Sequence, residues 1–173
     1  MDRAKKLTEP VDPNKLFHHA YRIWTADLDL RKSGKDFEAA SAHATGSMVL
    51  NVFACELFLK CLLILEQGGA PAATHRLDVL FRQVSHKRKR RIEELWNTHC
   101  RQKVLFMRDL GCPTDLPNAI VRCGDAFNRL RYHYEDPTNT VYYLGDLPWI
   151  LGRVVLEIKP EWNQPTLSTS PPQ

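Results

Sequence analysis

An apolar run over residues 48–65 constrains the fold of this chain more than any other feature of its sequence. Within this run only Asn51, Glu56 and Lys60 are strongly polar. A run of this length can cross a lipid bilayer, but each charged residue near its middle costs about 2.5–3.5 kcal/mol on insertion. We therefore expect a buried core helix, in a protein that does not span a membrane.

The rest of the chain predicts an all-α fold. Apolar residues recur at intervals of three and four, which is the spacing of one helix face. Glycine, proline and capping residues separate the helical segments, and the one β-prone run cannot form a sheet alone. The expected architecture is a bundle of four to five main helices around a long central helix. The predicted helices cover residues 14–31, 36–67, 75–84, 85–110, 116–135 and 147–158.

A chain of 173 residues is expected to form one domain. We divide it into a flexible N-terminal lead (1–13), a single helical domain (14–159) and a disordered C-terminal tail (160–173), which is rich in proline. The predicted core consists of apolar residues from three of the helices: Val49, Leu50, Val52, Phe53, Leu57, Leu59, Leu62, Leu63, Leu77, Leu80, Phe81, Ile120, Val121 and Phe127.

The cysteines, the N-terminal lead and the histidines indicate the compartment of the protein and whether it binds a metal. The chain has five cysteines and no C-x-x-C pair, which argues against a disulfide scaffold. Free thiols are typical of a reducing compartment, and the polar N-terminal lead predicts no targeting segment. We expect a cytoplasmic protein. His18 and His19 are adjacent, so a helix would point them in different directions. We predict no metal and no cofactor.

Positive charge is concentrated in one predicted helix and its entry. Residues 82–108 contain nine Lys or Arg against two Glu, whereas the whole chain has a net charge of only +4. Such a stripe is expected of a surface that binds a phosphate backbone; an ordinary solvated helix face is the alternative. The candidate nucleic-acid-binding residues are Lys87, Arg88, Lys89, Arg90 and Arg91.

Glu56 and Lys60 lie four residues apart, so they share one face of the central helix. Charges in so apolar a helix need partners, because burying an unpaired charge is costly. A structural ion pair is one interpretation. The other is that Glu56 holds an arginine, such as Arg131, or a tyrosine hydroxyl from the 116–135 helix. We expect Glu56→Ala to unfold the protein or to lower its melting point by many degrees, and Glu66→Ala to do little.

A polar stripe on the 116–135 helix is the candidate catalytic feature. Asp125, Arg129 and His133 are spaced by four residues each, so they follow one helix face. A His can transfer a proton near neutral pH, and an Arg can stabilise the charge that builds on phosphorus. Arg129 and His133 could thus cleave RNA without a metal. The alternative is that they are ordinary surface charges.

Three segments in series resemble the HEPN family (higher eukaryotes and prokaryotes nucleotide-binding domain). Residues 54–63 (ACELFLKCLL) are similar to its A-x-E-L-x-L-K-x-L-L pattern, residues 75–81 (HRLDVLF) to H-x-L-x-x-L-F, and residues 127–135 (FNRLRYHYE) to F-x-x-x-R-Y-x-Y-E. The resemblance covers roughly residues 35–158. It implies a helical bundle that commonly forms a homodimer, in RNA metabolism, toxin–antitoxin pairs or phage defence.

The resemblance also implies what an active member would need. Catalytic HEPN proteins are metal-independent endoribonucleases with an Arg and a His separated by four to six residues. Here only three residues separate Arg129 from His133, and Asn128 precedes the Arg instead of following it. One missing residue turns the Arg by about 100° relative to the His. The departure favours a module that binds RNA or an acidic partner protein, with the endoribonuclease as the alternative.

Overall fold

The computed structural model describes residues 11–34, 37–69, 73–99, 108–109, 111–131, 142 and 144–164, with the backbone alone for 37–42, Asn128 and Arg131. No strand occurs in this part of the chain, which confirms the all-α class there. The helices in chain order are α1 (Pro13–Ser33), α2 (Phe37–Gln67), α3 (Leu77–Gln83), α4 (His86–His99), α5 (Leu116–Arg122), α6 (Ala126–Arg131), α7 (Leu147–Leu156) and a 3-10 helix (Pro160–Trp162).

Helix α1 begins where its capping signals predict. The Asp12 carboxylate accepts a hydrogen bond from the amide of Asn14 at 2.9 Å, which satisfies one of the free N–H groups of the first turn. Pro13 occupies the first helical position, where its missing N–H and fixed φ suit a helix start. The helix ends at Ser33, before Gly34.

Helices α1 and α2 form an antiparallel hairpin. Ser33 contacts His43 near the connection, and Phe17, half-way back along α1, packs against Phe58 with ring centroids 5.8 Å apart. Helix α2 ends at Gln67, and Gly68 and Gly69 follow with φ values of +69° and +78°. Only glycine adopts this left-handed conformation readily, so the pair stops the helix.

Helix α2 is the core of the protein. Among the described residues it is the one helix long and apolar enough to cross a membrane, over His43–Gln67, but 67% of that apolar stretch is buried inside the fold. Helices α1, α3, α6 and α7 all pack against it. The core helix of a soluble protein can meet the same length and hydropathy criteria as a membrane span.

The prediction of one continuous helix over 116–135 is wrong, because the structure has two shorter helices there. Asp115 caps α5 as expected, with the amide of Asn118 donating to its carboxylate at 3.0 Å. The helix stops at Arg122, and α6 starts at Ala126 after a turn. At this turn the carbonyl of Gly124 accepts a hydrogen bond from the amide of Leu77 at 3.0 Å. The break therefore docks the turn onto the start of α3.

Gly124 is required by this close approach. A Cβ atom there would lie 2.7 Å from the nearer carboxylate oxygen of Asp78 and 3.1 Å from the carbonyl oxygen of Val121. Because both distances are shorter than a normal contact, a larger residue would force the Asp78 side chain or the turn itself to move. The sequence pattern gave no signal of this tertiary contact.

The predicted core is confirmed in α3, is confirmed only in part in α2, and needs one correction in α5. Val121 is 67% exposed, because α5 turns its neighbours Ala119 and Ile120 inward instead. Val49, Leu50, Phe53 and Phe127 are only partly buried. The prediction also omitted buried residues of the other helices: Phe17, Trp24, Ile92, Trp96, Leu147, Trp149, Ile150, Leu151, Val154 and Val155.

The tail predicted from residue 160 onward begins with ordered structure. The Trp162 ring of the 3-10 helix lies 5.6 Å from that of Phe17, and the Gln164 amide lies 3.3 Å from the His18 ring nitrogen. An aromatic side chain buries enough apolar area to hold such a segment against α1. Residues 165–173 lie outside the described part of the chain.

Candidate nucleic-acid interface

The start of helix α4 is held by a carboxylate from α2. Glu66 accepts hydrogen bonds from the amide and hydroxyl of Ser85, at 3.1 and 2.5 Å. The Arg88 guanidinium lies 3.8 Å from the same carboxylate, and its side chain is only 21% exposed. Glu66 therefore holds the start of α4, which contradicts the expectation that Glu66→Ala does little. Arg88 faces inward rather than toward a ligand.

Arg91 forms a second ion pair, in which its side chain is still 41% exposed. Its guanidinium donates to Glu157, just after α7, at 2.8 Å and lies 3.4 Å from Glu94. The hydrogen bond to Glu157 raises the pKa of Arg91 above its ordinary value. This pair joins α4 to α7 across a large separation in sequence. Of the predicted nucleic-acid-binding residues, Arg88 and Arg91 thus anchor the helix.

Lys89 is also engaged. Its ammonium donates to the backbone carbonyl of Arg82 at 2.8 Å and lies 5.9 Å from the centroid of the Phe81 ring. The long side chain covers apolar surface while its charge stays near the protein edge. Lys89 connects the start of α4 to α3.

Lys87 and Arg90 remain exposed, and no ion pair to either is present in the described part of the chain. They are three positions apart, so they lie on neighbouring points of one helix face. Arg82, at the end of α3, adds a side chain that is 71% exposed. The structure therefore reduces the predicted basic stripe on α4 to Lys87 and Arg90, which we call the α4 basic face.

The predicted catalytic pair is only partly described. Arg129 is 62% exposed, and its guanidinium lies 4.0 Å from the Asp125 carboxylate, as their spacing of four residues predicts. The structure places it in a groove with Arg76 and Arg122. His133 lies outside the described residues, so the structure gives no distance between His133 and Arg129.

Arg76 is held in place by a largely buried carboxylate. It donates two hydrogen bonds to Asp78, both at 3.1 Å, and Arg82 approaches the same carboxylate at 3.4 Å. The hydrogen bonds from Arg76 lower the pKa of Asp78 below its ordinary value, against the opposing effect of burial. The ionised form thus stabilises the fold near neutral pH, and this contribution is lost as the pH falls through the lowered pKa.

Glu56 is buried, with 1% of its side chain exposed. Its partners are Lys60 at 2.7 Å and the ring of His75 at 3.0 Å. The expected Lys60 pair is present, whereas the side chain of Arg131 lies outside what the structure describes. His75 stacks on Phe127 at 5.5 Å, so the Glu56 carboxylate anchors the segment before α3 to α2 and α6.

A second buried carboxylate was missed from sequence. Asp27 is fully buried and accepts hydrogen bonds from Arg31, Ser47 and Asn51, at 2.5–3.2 Å. Asn51 also donates to the carbonyl of Gly145 at 3.3 Å. The network ties α1, α2 and the turn before α7 together. The signal was present: Asp27 follows the buried Trp24 by three residues, on the apolar face of α1.

The described residues hold no group of three or more His, Cys, Asp or Glu that could bind a metal ion. Cys55, Cys61, Cys112 and Cys123 are buried free thiols. Burial raises the pKa of Cys61 and of Cys123 to about 12. Because the thiolate is the nucleophile, these two thiols are chemically inert at neutral pH.

The fold and site define an all-α protein with a basic helix face and an arginine-lined groove. Comparison with protein-family models, curated proteins and solved structures finds no match.

Proposed function

We propose that this protein is a HEPN-like bundle of four to five main helices that binds RNA through the α4 basic face. The observation that carries the proposal is that some cations of α4 form ion pairs within the protein while others are exposed. Arg88 and Arg91 bind Glu66 and Glu157, while Lys87 and Arg90 are left on the surface. Exposed cations on a rigid helix are suited to phosphate groups, which position a nucleic acid without reading its sequence.

The anchoring of α4 favours this function physically. Ile92 and Trp96 are buried on its inner face, and the Trp96 indole donates to the carbonyl of Thr114 at 3.0 Å. With its start and one face fixed, α4 loses little further freedom when it binds. Preorganisation of this kind reduces the entropic cost of association.

The same proposal includes the cellular setting. A buried α2 and inert thiols suit a soluble, cytoplasmic protein, and the family resemblance points to a homodimer in RNA metabolism, a toxin–antitoxin pair or phage defence. An acidic partner protein would also be attracted by exposed cations. We favour RNA because its phosphates recur along the strand, whereas an acidic protein must match the spacing of Lys87 and Arg90.

The first test is RNA binding by the double variant Lys87→Gln/Arg90→Gln, measured by fluorescence anisotropy. We expect an approximately tenfold higher Kd, because two exposed charge contacts contribute about 1.4 kcal/mol together. The matched control is Lys15→Gln/Arg22→Gln, which removes the same charge from the exposed surface of α1. Equal losses in both variants would show a general charge effect, and binding of only an acidic protein would replace RNA as the ligand.

A second candidate function is metal-independent RNA cleavage. The observation in its favour is the exposed guanidinium of Arg129 beside two further arginines in one groove. The test is incubation of labelled RNA with the protein in EDTA. Cleavage that is lost in both Arg129→Ala and His133→Ala would establish the ribonuclease, while intact RNA would exclude it and leave the binding module.

A further inference from the structure

An arginine-lined groove lies apart from the exposed residues of α4. It has a volume of about 480 Å³ and is bordered by α5, α6 and the segment before α3. Three guanidinium groups from three separate elements line it. Its lining residues are Arg76, Val121, Arg122, Asp125, Arg129 and Tyr142.

Two of the three arginines are held by hydrogen bonds, and all three still have donors to offer. Arg76 uses two N–H groups on Asp78, and Arg122 donates one to the carbonyl of Gly111 at 3.0 Å. Arg129 has its ion pair with Asp125. A guanidinium carries five N–H donors in a fixed plane. Arg76 and Arg122 are thus oriented by the protein, Arg129 is exposed beside them, and each guanidinium can bind a phosphate group as well.

The charge of the groove selects among phosphate groups. Three arginines against Asp125 leave a lining charge of +2. Asp78 offsets only part of this, since it is shared between Arg76 and Arg82. An internal phosphodiester carries one negative charge, whereas a phosphate monoester carries about −1.5 to −2 near neutral pH. A dianionic monoester therefore matches the groove better than a phosphate within a strand.

We infer that the groove binds the terminal phosphate of an RNA strand whose internal phosphates lie on the α4 basic face. This inference rests on the proposed function. The 67% exposed Val121 side chain borders the groove, where it gives a sugar or base edge an apolar contact. The shared chemistry is a phosphate monoester, which can lie at either the 5′ or the 3′ end.

Arg82 connects the groove to α4. Its guanidinium lies 3.4 Å from the Asp78 carboxylate that holds Arg76, and its carbonyl accepts the hydrogen bond from Lys89. Cationic side chains thus follow one another from the groove, across α3, to the start of α4. This succession of cations supports the inference that one strand contacts both places.

The test compares three RNA oligonucleotides of one sequence: with a 5′-phosphate, with a 3′-phosphate and with hydroxyl groups at both ends. We expect one phosphorylated form to bind wild type about tenfold more tightly than the hydroxyl form, the effect of about 1.4 kcal/mol. Arg129→Gln should remove this preference. Lys87→Gln/Arg90→Gln should weaken the binding of all three oligonucleotides by a similar factor and leave the preference for the phosphorylated form unchanged.

Arg129→Gln also allows loss of binding to be distinguished from loss of folding. Arg129 is 62% exposed and its one ion pair among the described residues is long, so its replacement should leave the thermal melt unchanged. Equal affinity of wild type for all three oligonucleotides would overturn the terminal-phosphate inference and leave the proposed RNA binding standing. Failure of wild type to bind any of them would overturn both.

Discussion

Replacing Asp27 by Ala should lower the free energy of unfolding by about 3–5 kcal/mol, the usual effect of removing one partner of a buried ion pair. The change leaves Arg31, Ser47 and Asn51 without their shared acceptor. At about 2–4 °C per kcal/mol for a domain of this size, Tm should fall by roughly 6–20 °C. Thermal and urea unfolding followed by circular dichroism measure both quantities.

Asp29→Ala is the matched control for Asp27. Asp29 lies on the same helix, but its side chain is 79% exposed and its contact with Lys32 is 3.9 Å long. Exposed pairs of this kind contribute about 0–1 kcal/mol. Similar small effects of the two substitutions would contradict the buried network and show that Asp27 is hydrated in solution.

Glu56→Ala should have an effect of the same order, about 3–5 kcal/mol. It removes the acceptor of Lys60, whose side chain is 14% exposed, and of His75. Because His75 lies just before α3, the loss should also loosen the α3 segment. Hydrogen exchange should show faster exchange at the amides of Leu77 and Leu80 than in the wild type.

The control for Glu56 must be chosen from the structure. Glu66 cannot serve, because it accepts the hydrogen bonds of Ser85 at the start of α4. Glu161 can, since its side chain is 60% exposed and lies 3.6 Å from Lys159. If Glu56→Ala and Glu161→Ala melted within 1–2 °C of each other, about the effect of one surface contact, Glu56 would not be the internal anchor described above.

The sequence was sufficient for the features that depend on local pattern. The apolar run of α2, the glycines that end it and the Asp115 cap of α5 each depend only on residues that are close together in the sequence. These features determine the helical class. They also explain why the buried carboxylate of Glu56 could be expected, since it interrupts an otherwise apolar helix face.

The features that the sequence did not predict depend on contacts between distant segments. The break at Gly124 follows from its approach to Asp78, and the outward position of Val121 follows from how α5 lies on the core. In α4 too, contacts with distant residues determine which cations are already paired, since Arg88 contacts Glu66 and Arg91 contacts Glu157. A run of like charges shows that a surface is basic, but not which of its residues are available to a ligand.

The salt dependence of RNA binding tests the central claim most directly. We would measure Kd for wild type and for Lys87→Gln/Arg90→Gln at several KCl concentrations between about 50 and 200 mM, the range over which counterion release is pronounced. For single-stranded RNA each phosphate contact contributes about 0.7 to the log–log slope, so the variant should be flatter by about 1.4. Identical slopes, or no RNA binding by the wild type, would contradict the claim that the exposed cations of α4 bind nucleic acid.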